Sequence, residues 1–142
     1  MTESSLWSTA RRHFAPYGRL KRIENRADNG TPDVYYSFPG GRRGWIELKH
    51  LDRWPARPGT PIRIDHLTLD QVLWLEEEAR MGGRAFLLLQ VDRTYILLQA
   101  WHARLIYEGE MTQDKLRKMA LVCEDGAFPA LEIIQFLRAL SP

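Results

Sequence analysis

Arg84 to Val91 reads Arg-Ala-Phe-Leu-Leu-Leu-Gln-Val, an apolar run with no polar face. A strand of this kind lies inside a sheet that is covered on both sides. The residues before it form a helix with defined ends. Thr68-Leu69-Asp70-Gln71 has the Thr-x-x-Gln pattern of a capping box, and Gly82-Gly83 closes the helix after Met81. A helix leading into a buried strand implies a crossover connection.

Upstream the pattern is that of hairpins. Leu6 to Phe14 has the spacing of a short helix ended by Pro16 and Gly18, and Leu20 to Glu24 alternates as a first strand. Asn29-Gly30 makes a turn, Asp33 to Phe38 is a second strand, Pro39-Gly40-Gly41 turns again, and Gly44 to Lys49 is the third. Leu51 to Asp65 is dense in Pro, Gly and Arg, which excludes a regular element and predicts a mobile loop. Past Val91, Asp92-Arg93 turns the chain into a strand from Thr94 to Leu98. Short helices are expected near Trp101 to Ile106, from Thr112 to about Leu121, and from about Pro129 to Leu140, covering the sheet or building a dimer surface. The expected fold class is α/β: an antiparallel meander plus a crossover strand, flanked by helices.

The 142 residues contain no internal repeat and no Gly-, Ser- or Pro-rich linker, so one domain over 1–142 is expected. With 44% hydrophobic and 27% charged residues the chain is globular rather than disordered. No apolar run approaches the roughly 20 residues needed to cross a bilayer, and the N-terminus lacks a signal pattern, which predicts no membrane partner and a cytoplasmic location. The single cysteine, Cys123, has no partner for a disulfide. Basic charge gathers in the first part of the chain, with 12 Lys/Arg against 7 Asp/Glu up to His66, and 8 against 11 beyond it. On charge alone this is either a solvated surface or a surface for phosphate.

The chemistry concentrates on the third strand. Side chains alternate, so Glu47 and Lys49 project from one face while Ile46 and Leu48 enter apolar packing on the other. One account is an ion pair on a solvated sheet face, worth under about 1 kcal/mol. The other involves Asp33, which opens the preceding strand and can be brought beside Glu47 by hairpin pairing. Two carboxylates repel unless a cation sits between them, and a hard divalent ion such as Mg²⁺ takes oxygen ligands of this sort. Asp33, Glu47 and the backbone carbonyl of Leu48 make a half-shell suited to activating water against a phosphodiester, with Lys49 holding a phosphate oxygen or orienting the water.

Thr31-Pro32-Asp33 followed by Ile46-Glu47-Leu48-Lys49 resembles the PD-(D/E)XK signature of restriction enzymes, resolvases and repair nucleases. Gly30-Thr31-Pro32-Asp33-Val34, the Gly-Gly-Arg turn within Gly40 to Arg43, and Gln71 with Gly82-Gly83 look like its VRR-NUC and Holliday junction resolvase-like branch, often encoded by phages. The resemblance covers about residues 18 to 98 and nothing beyond Leu98. It implies a restriction-endonuclease-like core, Mg²⁺ or Mn²⁺ dependence, cleavage of duplex or branched DNA, and a homodimer. It makes Asp33 and Glu47 the metal-binding acids, Lys49 the catalytic lysine and Gln71 the polar helix residue facing the site. Many relatives add a Glu from the first helix as a metal ligand. Here only Glu3 precedes Ser4-Ser5-Leu6, and Glu24 on the first strand is the other candidate.

Several of these residues have a simpler explanation beside the functional one. Gln71 is fully accounted for as the N3 residue of the capping box. Arg42 and Arg43 at a hairpin tip are either solvated or set against a DNA backbone, and Arg53, Arg57 and Arg63 in the long loop face the same choice. Trp54 either stacks on an unpaired base or anchors the loop; Trp45 and Trp74 read as packing residues. His50 and His66 lack metal-ligand spacing and read as structural or solvent-facing. Glu76-Glu77-Glu78 reads as a solvated helix face. A non-catalytic DNA-binding module with a nuclease-like fold is the alternative function.

Overall fold

The structure, a computed structural model, describes residues 2–23 and 30–139. Glu24, Asn29 and Leu140, which carry parts of the expected first strand, first turn and last helix, lie outside the described residues. The elements run α1 (Glu3–Phe14), β1 (Arg19–Arg22), β2 (Val34–Phe38), β3 (Arg42–Leu51), α2 (Leu69–Arg80), β4 (Ala85–Val91), β5 (Thr94–Gln99), a 3-10 turn (Ala100–His102), α3 (Ala103–Tyr107), α4 (Gln113–Met119), β6 (Val122–Asp125) and α5 (Ala130–Arg138).

One six-stranded sheet takes these strands in chain order. The β1-β2-β3 meander is antiparallel, β3 and β4 are parallel through the α2 crossover, and β4-β5-β6 return to antiparallel pairing. Every residue of β4 is buried, as its apolar run demands. Its Leu87, Leu89 and Val91 join α2, α3 and α4 in one core, while Phe86 and Leu88 join α1 and α5 in the other. The sheet is thus a central layer with a separate apolar core on each face.

Four expectations need correction. The first helix starts at Glu3, because Thr2 caps it: its hydroxyl accepts from the Ser5 N–H at 3.1 Å, and the Ser5 hydroxyl accepts from the Thr2 N–H at 2.8 Å. The third strand is longer than Gly44 to Lys49. Gly40 and Gly41 take φ of 85° and 75°, a tight turn that lets Phe38 pair with Arg42 at once. The loop from Leu51 to Asp65 lacks regular structure within 52–65, yet it is pinned: Ile62 and Ile64 are buried in the core, and the Ile62 N–H donates to the Met111 carbonyl at 2.8 Å. The chain past Leu98 is not helical throughout, since Val122–Asp125 adds β6 to the edge of β5.

Candidate active site

Strand alternation sets the site. Trp45, Glu47 and Lys49 of β3 share the face that α2 covers, whereas Ile46 and Leu48 enter the core under α1 and α5. Both charged groups are closed off from water, Glu47 at 0% and Lys49 at 2% exposure, so this is no ion pair on a solvated surface. The Lys49 Nζ lies 3.5 Å from Glu47 Oε1 and donates to the His66 carbonyl at 2.9 Å.

The site opens where β2 ends. Trp45 sends its N–H to the Arg84 carbonyl on the β4 side, so the alternate residues Ile46 and Leu48 turn their backbone groups toward β2. The β2 ladder reaches only to Val34, opposite Ile46. The Leu48 N–H therefore meets a side chain in place of a strand: Asp33 Oδ2 accepts it at 2.9 Å. The Leu48 carbonyl leaves β3 on the same edge, beside Asp33.

Glu47 is the unbalanced group. Burial pushes its carboxyl up to about 9, the Asp33 carboxylate adds to the rise, Lys49 opposes it, and Glu3 contributes a smaller push in the same direction. Its Oε2 is buried without a hydrogen-bond donor. Its Oε1 accepts from Gln71 Nε2 at 3.3 Å, while Gln71 Oε1 accepts the Thr68 N–H at 3.0 Å. One amide thus caps α2 and contacts the acid. Glu3, at the first turn of α1, places a carboxylate oxygen 2.8 Å from His66 Nε2.

Once Glu47 gives up its proton, its buried donorless oxygen, beside the Asp33 carboxylate and the Leu48 carbonyl, fits a hard divalent cation. Among the described residues, no three His, Cys, Asp or Glu side chains gather closely enough to hold an ion by themselves. A donor set of this size would leave part of an ion's shell to water, as hard divalent ions tolerate.

This sheet and its helices recur in solved proteins. Hjc of Archaeoglobus fulgidus, a Holliday junction resolvase from an archaeal hyperthermophile, aligns over 94% of this chain and 97% of its own length, with a TM-score of 0.56 and 15% identity. The chain has the restriction-endonuclease-like fold. A VRR_NUC domain aligns over 65% of this chain and 88% of its own, with a TM-score of 0.48 and 17% identity. No protein-family model matches the chain, and no curated protein matches its sequence.

On this restriction-endonuclease-like sheet the five arginines singled out in the sequence are scattered. Arg43 is exposed on the face that carries Glu47; Arg42, one residue earlier, turns to the other face and lines a groove with Tyr17 and Leu131. Arg53, Arg57 and Arg63 are exposed on the pinned loop, and Arg63 pairs with the equally exposed Asp65. Trp54 packs against the core with Arg117 over its ring, the anchoring role. Trp45 and Trp74 stack edge to face with centroids 5.2 Å apart. The Glu76-Glu77-Glu78 stretch is less free than a solvated face, since Glu76 takes a bidentate pair from Arg104.

For two residues named in the sequence, the part they play beside the site escapes sequence reasoning. His66 contributes a backbone carbonyl to Lys49, a role any residue type can fill, so no side-chain signal marks it. Gly30 lies against the first turn of α2, where an added Cβ would come within 2.5 Å of the Asp70 carbonyl oxygen. The glycine of Gly30-Thr31-Pro32-Asp33 is thus set by close approach to α2.

Proposed function

We propose that this protein is a divalent-metal-dependent endonuclease hydrolysing phosphodiester bonds of branched or duplex DNA. The observation that carries the reading is the donorless Glu47 Oε2 beside Asp33, at the edge of β3 that β2 leaves open. Asp33, Glu47 and the Leu48 carbonyl are the groups to hold Mg²⁺ or Mn²⁺, with Glu3 as the added acid once it parts from His66. A bound ion of this kind lowers the pKa of water and offsets charge on a phosphoryl oxygen.

The protein groups divide the remaining work. Lys49 is held by the His66 carbonyl, which spends one of its three protons and leaves others to meet a phosphate oxygen or to orient the attacking water. Gln71 fixes the Glu47 carboxyl through Oε1, so Oε2 is the oxygen that faces an ion. Burial by Trp45, Trp74 and α2 sets these groups in a low-dielectric interior, where charges act more strongly than in water. The likeness to a resolvase supports branched DNA as the first substrate to try. The reading extends to one nuclease domain acting as a cytoplasmic homodimer, whose assembly light scattering on the purified protein reads directly.

The test is a panel of labelled four-way junctions, flaps, duplexes and single strands, incubated with and without Mg²⁺ or Mn²⁺. Cleavage should require the metal and vanish in Asp33→Ala and Lys49→Ala, with the fold retained by circular dichroism. Full activity in either variant rejects the reading.

A further inference from the structure

The register of the meander continues the site into rows across the sheet. Ile23 and Asp33 stand in the row of Glu47; Lys21, Tyr35 and Trp45 form the next; Arg19, Ser37 and Arg43 form the one after. All lie on one face by strand alternation. Beyond the Trp45-Trp74 contact this face carries a trough of about 710 Å³. Its cations Arg19, Lys21 and Arg43 are exposed, and Tyr35 and Ser37 form its half-buried floor. Among the described residues no acidic side chain lines it, and none of the three cations has an ion-pair partner.

Three cations around a concave floor, with no acid among the described residues that line it, are complementary to a polyanion. At about 3.3 Å of rise per residue the two basic rows stand roughly 7 and 13 Å from the row of acids. That is about two to four base steps along the axis of a duplex at about 3.4 Å per step. We propose that the trough seats the phosphodiester backbone of DNA on its way to Asp33 and Glu47, with Arg19, Lys21 and Arg43 each neutralising a phosphate. The proposal rests on the endonuclease reading for its direction of approach. It differs from the sequence expectation by recruiting Arg19 and Lys21 and by leaving Arg42, on the far face, without a part.

The experiment is binding of a short fluorescein-labelled duplex by the full chain in EDTA, followed by anisotropy across a salt series. Each phosphate contact contributes about 0.9 to the slope of log affinity against log salt. The triple variant Arg19→Ala, Lys21→Ala, Arg43→Ala should lower that slope by about 2.7 and weaken binding more than about tenfold at low salt. Arg12→Ala, an exposed arginine on α1 across the sheet, should leave both unchanged. No binding by the parent protein in EDTA, an unchanged slope in the triple variant, or an equal loss in Arg12→Ala overturns the proposal. Cleavage does not enter this assay. Binding through the trough by a protein that cuts nothing in Mg²⁺ or Mn²⁺ would sink the endonuclease reading and leave the trough standing; active cleavage with a triple variant that binds normally would do the reverse.

Discussion

Gln71 reaches Glu47 with the same amide that caps α2, its Oε1 taking the Thr68 N–H and its Nε2 facing the buried acid. The two contacts fix the amide's orientation, because a flipped amide would set donor against donor and oxygen against oxygen. The cap read from the sequence is made, and it does not exclude the contact with Glu47. Gln71→Glu keeps an oxygen for the cap and sets a carboxylate against Glu47, so metal-dependent cleavage should fall about 10- to 100-fold with little change in melting temperature at pH 5. Gln71→Ala should lose both, with a stability cost of about 1 kcal/mol. Equal stability losses in the two variants would separate the amide from the cap.

Stability of the metal-free protein should decrease with rising pH. The Glu47 carboxyl is raised in the fold, to about 9 against 4.5 for an ordinary glutamate, so the folded state holds a proton that the unfolded chain has released. Its contribution is complete below about 4.5 and is lost as pH climbs through about 9. Mg²⁺ should oppose the decline by taking the place of that proton. Thermal melts from pH 5 to 9 in EDTA and in Mg²⁺ read the difference, and calorimetry in buffers of unlike ionisation enthalpy should find a proton released on metal binding.

Glu47→Gln should abolish cleavage and stabilise the metal-free protein. The amide has the shape of the acid without a charge to bury. At pH 8 the variant should exceed the parent by at least about 1 kcal/mol, or roughly 4 °C in melting temperature, and the gap should close toward pH 5. A variant less stable than its parent at pH 8 would contradict the burial argument.

Gly30→Ala should disturb the site through the backbone. A Cβ there meets the Asp70 carbonyl at 2.5 Å and the Trp74 Cβ at 3.2 Å, so the segment leading to Asp33 must draw back from α2. A cost of about 1–3 kcal/mol is expected, with activity falling further than Thr60→Ala, a substitution on the exposed loop surface. Urea melts and initial cleavage rates measure the two effects separately.

The shared face of Glu47 and Lys49 was readable because it depends only on parity along one strand. Glu47 and Lys49 must share a face whatever the rest of the chain does, and Ile46 and Leu48 say which face is apolar. The cap at Thr68 and the buried β4 were legible for the same reason, as each is written in neighbouring residues. What escaped depends on distant contacts. β6 is four residues long with a polar Glu124-Asp125 end, and it is a strand because β5 offers an edge. Ile62 and Ile64 sit in a sequence that reads as loop and are held by the core and Met111. Glu3 reaches the site only because Thr2 starts α1 earlier than its apolar spacing indicates.

The early end of β2 has a consequence for how the protein can vary. The notch that holds Asp33 against Leu48 is an unfinished stretch of hydrogen-bonded ladder, so it competes with the sheet's own tendency to complete itself. A strand-forming residue at position 33 would let β2 zip further along β3, and the same pairing that steadies the fold would then close the pocket. Pro32 works against this, since it has no N–H to add to a ladder. Sequence change that strengthens the hairpin can therefore close the notch beside Leu48 without touching Glu47 or Lys49.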